Sequence, residues 1–179
     1  MRIVAGNWRG RTLKSPTWDG LRPTSDRLRE TLFNILGPSI QGMRVLDGYA
    51  GTGAIGLEAL SRGAAHVTFV EQDPRAVRLI EANLAALGGS PSKPVIIRAG
   101  LPEAAARIAG EAFDVIILDP PYAHAAATDA LAAVAGLTSP GTRIVVEHAA
   151  RHAPPDAHGP LRRTRTVTAG DSALSFYEH

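Results

Sequence analysis

Short apolar runs and helical apolar patterns alternate along most of the chain. "MRVLDG" is followed by "AIGLEALSRG", "HVTFVEQ" by "PRAVRLIEANLAALGG", "PVIIRA" by "PEAAARIAG" and "FDVIILDPP" by "TDALAAVAGL", and "TRIVVEH" closes the series. The runs Val67 to Val70 and Val115 to Leu118 are near-continuously apolar, the pattern of strands covered by helices on both sheet faces. Asp73-Pro74 supplies a capping residue followed by proline at a first helical position, and Gly63 and Gly88 stand where helices should stop. Five β/α units of this kind predict an α/β fold with a doubly wound, mostly parallel sheet.

The two ends of the chain read differently. Residues 2 to 14, "RIVAGNWRGRTLK", hold two short extended runs about a Gly-Asn turn signal and predict a basic hairpin or arm. From Thr24, "TSDRLRETLFNILGP" places Leu28, Leu32, Ile35 and Leu36 at helical spacing behind a capping residue and stops at Gly37-Pro38. After the Pro/His-rich loop "RHAPPDAHGP", two extended runs about Ala169-Gly170-Asp171 predict an antiparallel hairpin on the sheet edge.

At 179 residues, with 45% apolar and 20% charged residues, the chain suits one folded domain with an appendage. The expected division is a basic N-terminal extension at 1–20 and one domain at 21–179. The start "MRIVAGNWRG" lacks the apolar core of a signal peptide, and no run approaches the roughly 20 apolar residues that cross a bilayer, so the expectation is a cytoplasmic protein with no membrane partner. Net charge is only +2, yet residues 1 to 44 carry eight Arg/Lys against three acids, an asymmetry of the kind that meets phosphates. The absence of cysteine excludes disulfides and thiolate chemistry, and the six histidines show no metal-ligand spacing, so no metal is expected.

The chemistry concentrates in two motifs. In "DGYAGTGAIG", Gly51-Thr52-Gly53-Ala54-Ile55-Gly56 has the G-x-G-x-x-G spacing of a nucleotide-binding turn at a strand-to-helix junction. Glu71 follows Gly51 by twenty residues, where a carboxylate at a strand tip accepts from both ribose hydroxyls. The spacing alone fits NAD, another adenosine cofactor, or a tight turn with no ligand. Asp47, just ahead of the glycines, would repel a pyrophosphate and attract an ammonium, which weighs against NAD.

The second motif, Asp119-Pro120-Pro121-Tyr122, ends the fourth predicted strand. An exocyclic amine of a nucleobase is a poor nucleophile because its lone pair is delocalised, so its methylation needs acceptors that hold its hydrogens; Asp119 and the Pro120 carbonyl suit that task. Tyr122 offers a face on which an extruded base stacks. C5 methylation of a pyrimidine ordinarily needs a cysteine, so transfer to nitrogen is the simpler chemistry. His148, after "RIVVE", reads as packing or loop.

These stretches together resemble the RsmD family of bacterial 16S rRNA guanine-N2 methyltransferases nearly end to end. The resemblance is carried by "RIVAGNWRGRTL", "RPTSDRLRETLFNIL" at 22 to 36, "VLDGYAGTGAIGLEALSRGA" at 45 to 64, "FVEQD" at 69 to 73, "DPPY" at 119 to 122 and "GDSALSFYE" at 170 to 178. It implies a Rossmann-like class I methyltransferase domain that uses S-adenosylmethionine, releases S-adenosylhomocysteine, and acts as a monomer on ribosomal RNA or the assembling small subunit. It also implies cofactor contacts from Arg22, Thr24, Asp47, Tyr49, Gly51, Gly53, Glu71, Gln72 and Ala99, catalytic roles for Asp119, Pro120 and Tyr122, and RNA contacts from Arg2, Arg9, Arg11 and Lys14. Gly48 departs from the family, which more often has an apolar residue there, and predicts a looser strand end. An adenine-N6 or other amino-methyltransferase on DNA, an NAD-dependent oxidoreductase, and a non-catalytic RNA-binding factor are the alternatives.

Overall fold

The computed structural model describes residues 1–18, 26–89, 93–121 and 125–179. Five parallel strands, β1 (Arg44–Asp47), β2 (His66–Val70), β3 (Val95–Ile97), β4 (Val115–Leu118) and β5 (Arg143–Ala149), are continued by β8 (Ser172–Glu178), β7 (Leu161–Ala169) and β6 (Ala157–His158). The order across the sheet is β3-β2-β1-β4-β5-β8-β7-β6. β8 runs antiparallel to both β5 and β7, so the C-terminal hairpin lies where the sequence placed it, with the two-residue β6 added outside.

Helices cover both faces, as the apolar strand runs require. On one face lie α1 (Asp26–Leu36), α2 (Ala54–Ser61) and α3 (Pro74–Ala86); Leu32, Phe33, Leu57 and Ile80 pack there against Val45, Phe69, Ile117 and Val145. On the other lie α4 (Leu101–Arg107) and α5 (Ala126–Val134), where Ala104 and Leu131 meet Leu46, Ile116 and Val146. The period-two alternation of each strand thus feeds two separate cores.

The sequence of α2, AIGLEALS, has no polar face, and all eight residues are buried. A helix of this kind needs cover on both sides. The sheet supplies one and the N-terminal arm the other. The arm is an antiparallel hairpin joined by the Arg2–Thr12 bridge, and its Ile3 and Leu13 belong to the same buried cluster as α1 and α2. The two polar residues of α2 hold the arm. Glu58 accepts hydrogen bonds from the amides of Val4 (2.8 Å) and Ala5 (2.9 Å), and Ser61 accepts through Oγ from the Trp8 amide (3.0 Å) while donating to the Ala5 carbonyl (2.6 Å).

The basic count of the front end overstates its surface charge. Arg29 is fully buried, donates to the Arg2 carbonyl and lies 3.7 Å from Glu58. Arg44 pairs with Glu111 at 2.8 Å. Arg11 donates to the carbonyls of Ala86 and Leu87, placing a cation at the C-terminus of α3, where the helix dipole favours it. Arg2, Arg9 and Lys14 have exposed side chains.

Candidate active site

The chain runs β1, β2, β3 outward and then returns to lay β4 on the other side of β1, so the strand order reverses between β1 and β4. A crevice opens beyond the carboxyl ends of strands at such a point. Here it is an open cavity of about 870 Å³, within the size range of cofactor and substrate sites.

The glycine turn forms its floor. Gly51 and Gly53 have φ of +53° and +78°, conformations that a side chain disfavours. Gly53 is the N-cap of α2 and has no side chain with which to cap it. Asp47 does this from the end of β1: its Oδ2 accepts from the Gly56 amide at 2.9 Å, in the first turn of α2. Gly56 is required for a different reason, since a Cβ there would stand 2.2 Å from the Phe69 ring on β2.

Asp47 is thereby sealed beneath the turn. Burial pushes its carboxyl up to about 7 against the lowering effect of the Gly56 amide, with the charges of Asp119 and Glu71 raising it further. Asp47 and Gly53 support the cavity from behind, whereas Tyr49, Gly51, Glu71, Gln72, Ala99, Asp119 and Pro120 are brought together in its wall. Arg22, Thr24 and Tyr122 lie outside the described residues.

Glu71 ties two loops to each other. One carboxylate oxygen accepts from the Gly51 amide and the other from the Asp73 amide, both at 2.8 Å, which fixes the loop after β2 against the turn after β1. Asp73 in turn caps α3 through the Arg75 amide, and the Arg75 side chain holds the Asp73 carboxyl down to about 2. Ala99, after β3, reaches the wall without a polar side chain, and its amide donates to the Ile97 carbonyl. Half-buried Tyr49 has its phenol pushed up, first by burial and then by Asp129.

The expected loosening at Gly48 is not observed. Its amide donates to the Ile117 carbonyl at 2.8 Å, and Leu118 and Leu101 fill the space a side chain would take, with Leu118 only 2.5 Å from an added Cβ. His148 is buried between the Ser175 hydroxyl (2.8 Å) and the Ala149 carbonyl (2.9 Å), and burial lowers its pKa. It packs on the face opposite Glu147, consistent with the packing role read from sequence.

Glu147 and Asp171 are among the wall residues not read as site residues from sequence. Glu147 lies two residues before the end of β5 and Asp171 in the turn before β8; both line the cavity. Among the described residues, the wall carries the carboxylates of Glu71, Asp73, Asp119, Glu147 and Asp171 and neither Lys nor Arg. Such a wall disfavours a pyrophosphate and favours a ligand bearing positive charge.

Comparison with known proteins agrees with this geometry. The chain is 35% identical to the Bacillus subtilis protein YlbH over 99% of its own length and 98% of that protein's. It is 44% identical to the Haemophilus influenzae protein named ribosomal RNA small subunit methyltransferase D, over 68% of this chain and 64% of that one. The fold matches that of the Escherichia coli protein yhhF with a TM-score of 0.87 at 35% identity, covering 100% of this chain and 97% of that one. The family model described as Conserved hypothetical protein 95 matches residues 1–178, and the chain belongs to that family, the RsmD family its motifs resemble.

Proposed function

We propose that the protein transfers a methyl group from S-adenosylmethionine to the exocyclic N2 of a guanine in small-subunit ribosomal RNA. The observation that carries this reading is the cavity at the β1/β4 reversal, which joins the glycine turn and Glu71 at one end to Asp119-Pro120 at the other. The name of the Haemophilus influenzae relative supports the RNA substrate.

The donor set suits the cofactor. Glu71 would accept from ribose hydroxyls, and the wall near Ala99 and Leu101 is apolar enough for an adenine. When bound, the cofactor supplies an electrophilic methyl on a positively charged sulfur.

The chain's own residues supply orientation and charge. Asp119 and the Pro120 carbonyl accept hydrogen bonds from the two N2–H groups and turn the nitrogen lone pair toward the methyl. Pro120 and Pro121 lack N–H donors and fix φ, which keeps that carbonyl in place. Methyl transfer from the bound cofactor would leave positive charge on that nitrogen. Asp119 would stabilise that charge until one N2 proton passes to water. The exposed Arg2, Arg9 and Lys14 meet the RNA backbone. Arg22 and Thr24 contribute to cofactor binding, and Tyr122 stacks the base.

Paired variants test the assignment. Glu71→Ala should weaken S-adenosylhomocysteine binding at least tenfold in a titration. Asp119→Ala should leave that binding within about threefold and cut methyl transfer to small-subunit particles a hundredfold or more. Retained transfer in Asp119→Ala removes Asp119 from the mechanism.

A further inference from the structure

Glu147 has no part in the scheme above, yet it is an acid only 7% exposed in the wall of the same cavity. Its position follows from the register. Leu118 of β4 pairs with Val146 of β5, so Asp119, just past the end of β4, and Glu147, two residues before the end of β5, come next on these adjacent parallel strands. Both continue the row of Ile117 and Val145, which packs on the α1 and α2 face. Asp119 and Glu147 are thus neighbours across one strand spacing, roughly 4.8 Å between backbones.

That adjacency matches a chemical difference among bases. In guanine the exocyclic amine has N1–H, a second donor, on one side and the N3 lone pair on the other. In adenine and cytosine it has a ring nitrogen lone pair on one side and a ring carbon on the other. A carboxylate beside Asp119 accepts from N1–H of guanine but finds no N–H donor beside the amine of adenine or cytosine.

We propose that Glu147 is the specificity-determining residue of this site, accepting N1–H of the target guanine while Asp119 and Pro120 hold its N2. The proposal rests on the guanine-N2 reading above and adds what enforces it. A site built around such a hydrogen bond rejects an analogue lacking the donor much more strongly than a shape-based pocket does.

The test uses an RNA fragment that accepts methyl, synthesised with guanine or 2-aminopurine at the target position. 2-Aminopurine keeps the N2 amine, replaces N1–H with a lone pair and the C6 carbonyl with C–H, so the Glu147 variants are compared with wild type on both bases. Wild type should favour guanine by at least tenfold in kcat/KM. Glu147→Gln, whose amide can donate to that lone pair, should lower the guanine to 2-aminopurine ratio at least tenfold, with S-adenosylhomocysteine affinity unchanged within twofold. Glu147→Asp should lower kcat/KM and keep the preference for guanine.

A ratio unchanged in Glu147→Gln, equal use of both bases by wild type, or loss of S-adenosylhomocysteine binding in the variant overturns the role of Glu147. If wild type forms N2-methylguanine and the ratio is unchanged, only Glu147 fails. If no N2-methylguanine forms, the guanine-N2 reading itself fails and this proposal with it.

Discussion

Glu58 is one of the two polar residues of α2 that hold the N-terminal arm. Its side chain is fully buried, accepts from the Val4 and Ala5 amides and from Arg62 Nε at 2.8 Å, and lies 3.7 Å from Arg29 Nε, also fully buried. Glu58→Gln keeps the shape, removes the charge opposite Arg29, and turns one acceptor oxygen into an NH₂ group facing donors. Removing one partner of a buried pair costs about 3–5 kcal/mol. For a chain of this size each kcal/mol lowers Tm by roughly 2–4 °C, so the expected loss is about 6–20 °C. The loss should have a local signature. In hydrogen exchange, the Val4 and Ala5 amides should lose protection before the strands do, because their acceptor has gone. A Glu58→Gln variant that melts within about 2 °C of wild type, with Val4 and Ala5 still protected, refutes this account of the arm.

Two further perturbations address the glycine turn. Asp47 is raised to about 7 in the fold against 3.8 for the free side chain, so between those values the native state holds the proton more tightly than the unfolded chain, and this group's contribution to stability falls as pH rises through the window. Asp47→Asn should remove that dependence, so its stability relative to wild type, measured by urea unfolding without cofactor, should improve from pH 4 to pH 8 by up to about 4 kcal/mol; a pH-independent difference contradicts it. Gly56→Ala, whose Cβ would meet the Phe69 ring at 2.2 Å and Val67 at 2.9 Å, should destabilise by roughly 1–3 kcal/mol in thermal melts, and an unchanged Tm contradicts the packing role.

The parallel sheet was legible because its strands are apolar on both faces and its helices keep their period and their stops. The C-terminal hairpin was legible from two extended runs about Gly170. What lay beyond the sequence was whatever depends on strand order. Glu147 reads as an acid at the end of an apolar run, and only the placement of β5 beside β4 sets it next to Asp119. Glu58 reads as one polar residue in an apolar helix, and only the folding of the arm over α2 gives it partners. Asp47 was read from sequence as a cofactor contact, but its geometry was not legible. The glycine that caps α2 brings no side chain, so the strand-end acid turns inward to supply one. The basic front was overcounted for a similar reason: Arg29 and Arg44 answer acids that are distant in sequence.

The central claim is best tested on the product. Small-subunit particles from a strain lacking the gene, incubated with the purified protein and methyl-labelled S-adenosylmethionine, should yield 16S rRNA whose nucleosides carry the label solely as N2-methylguanosine at one position. Label in N6-methyladenosine, label spread over several bases, or no incorporation would contradict the account.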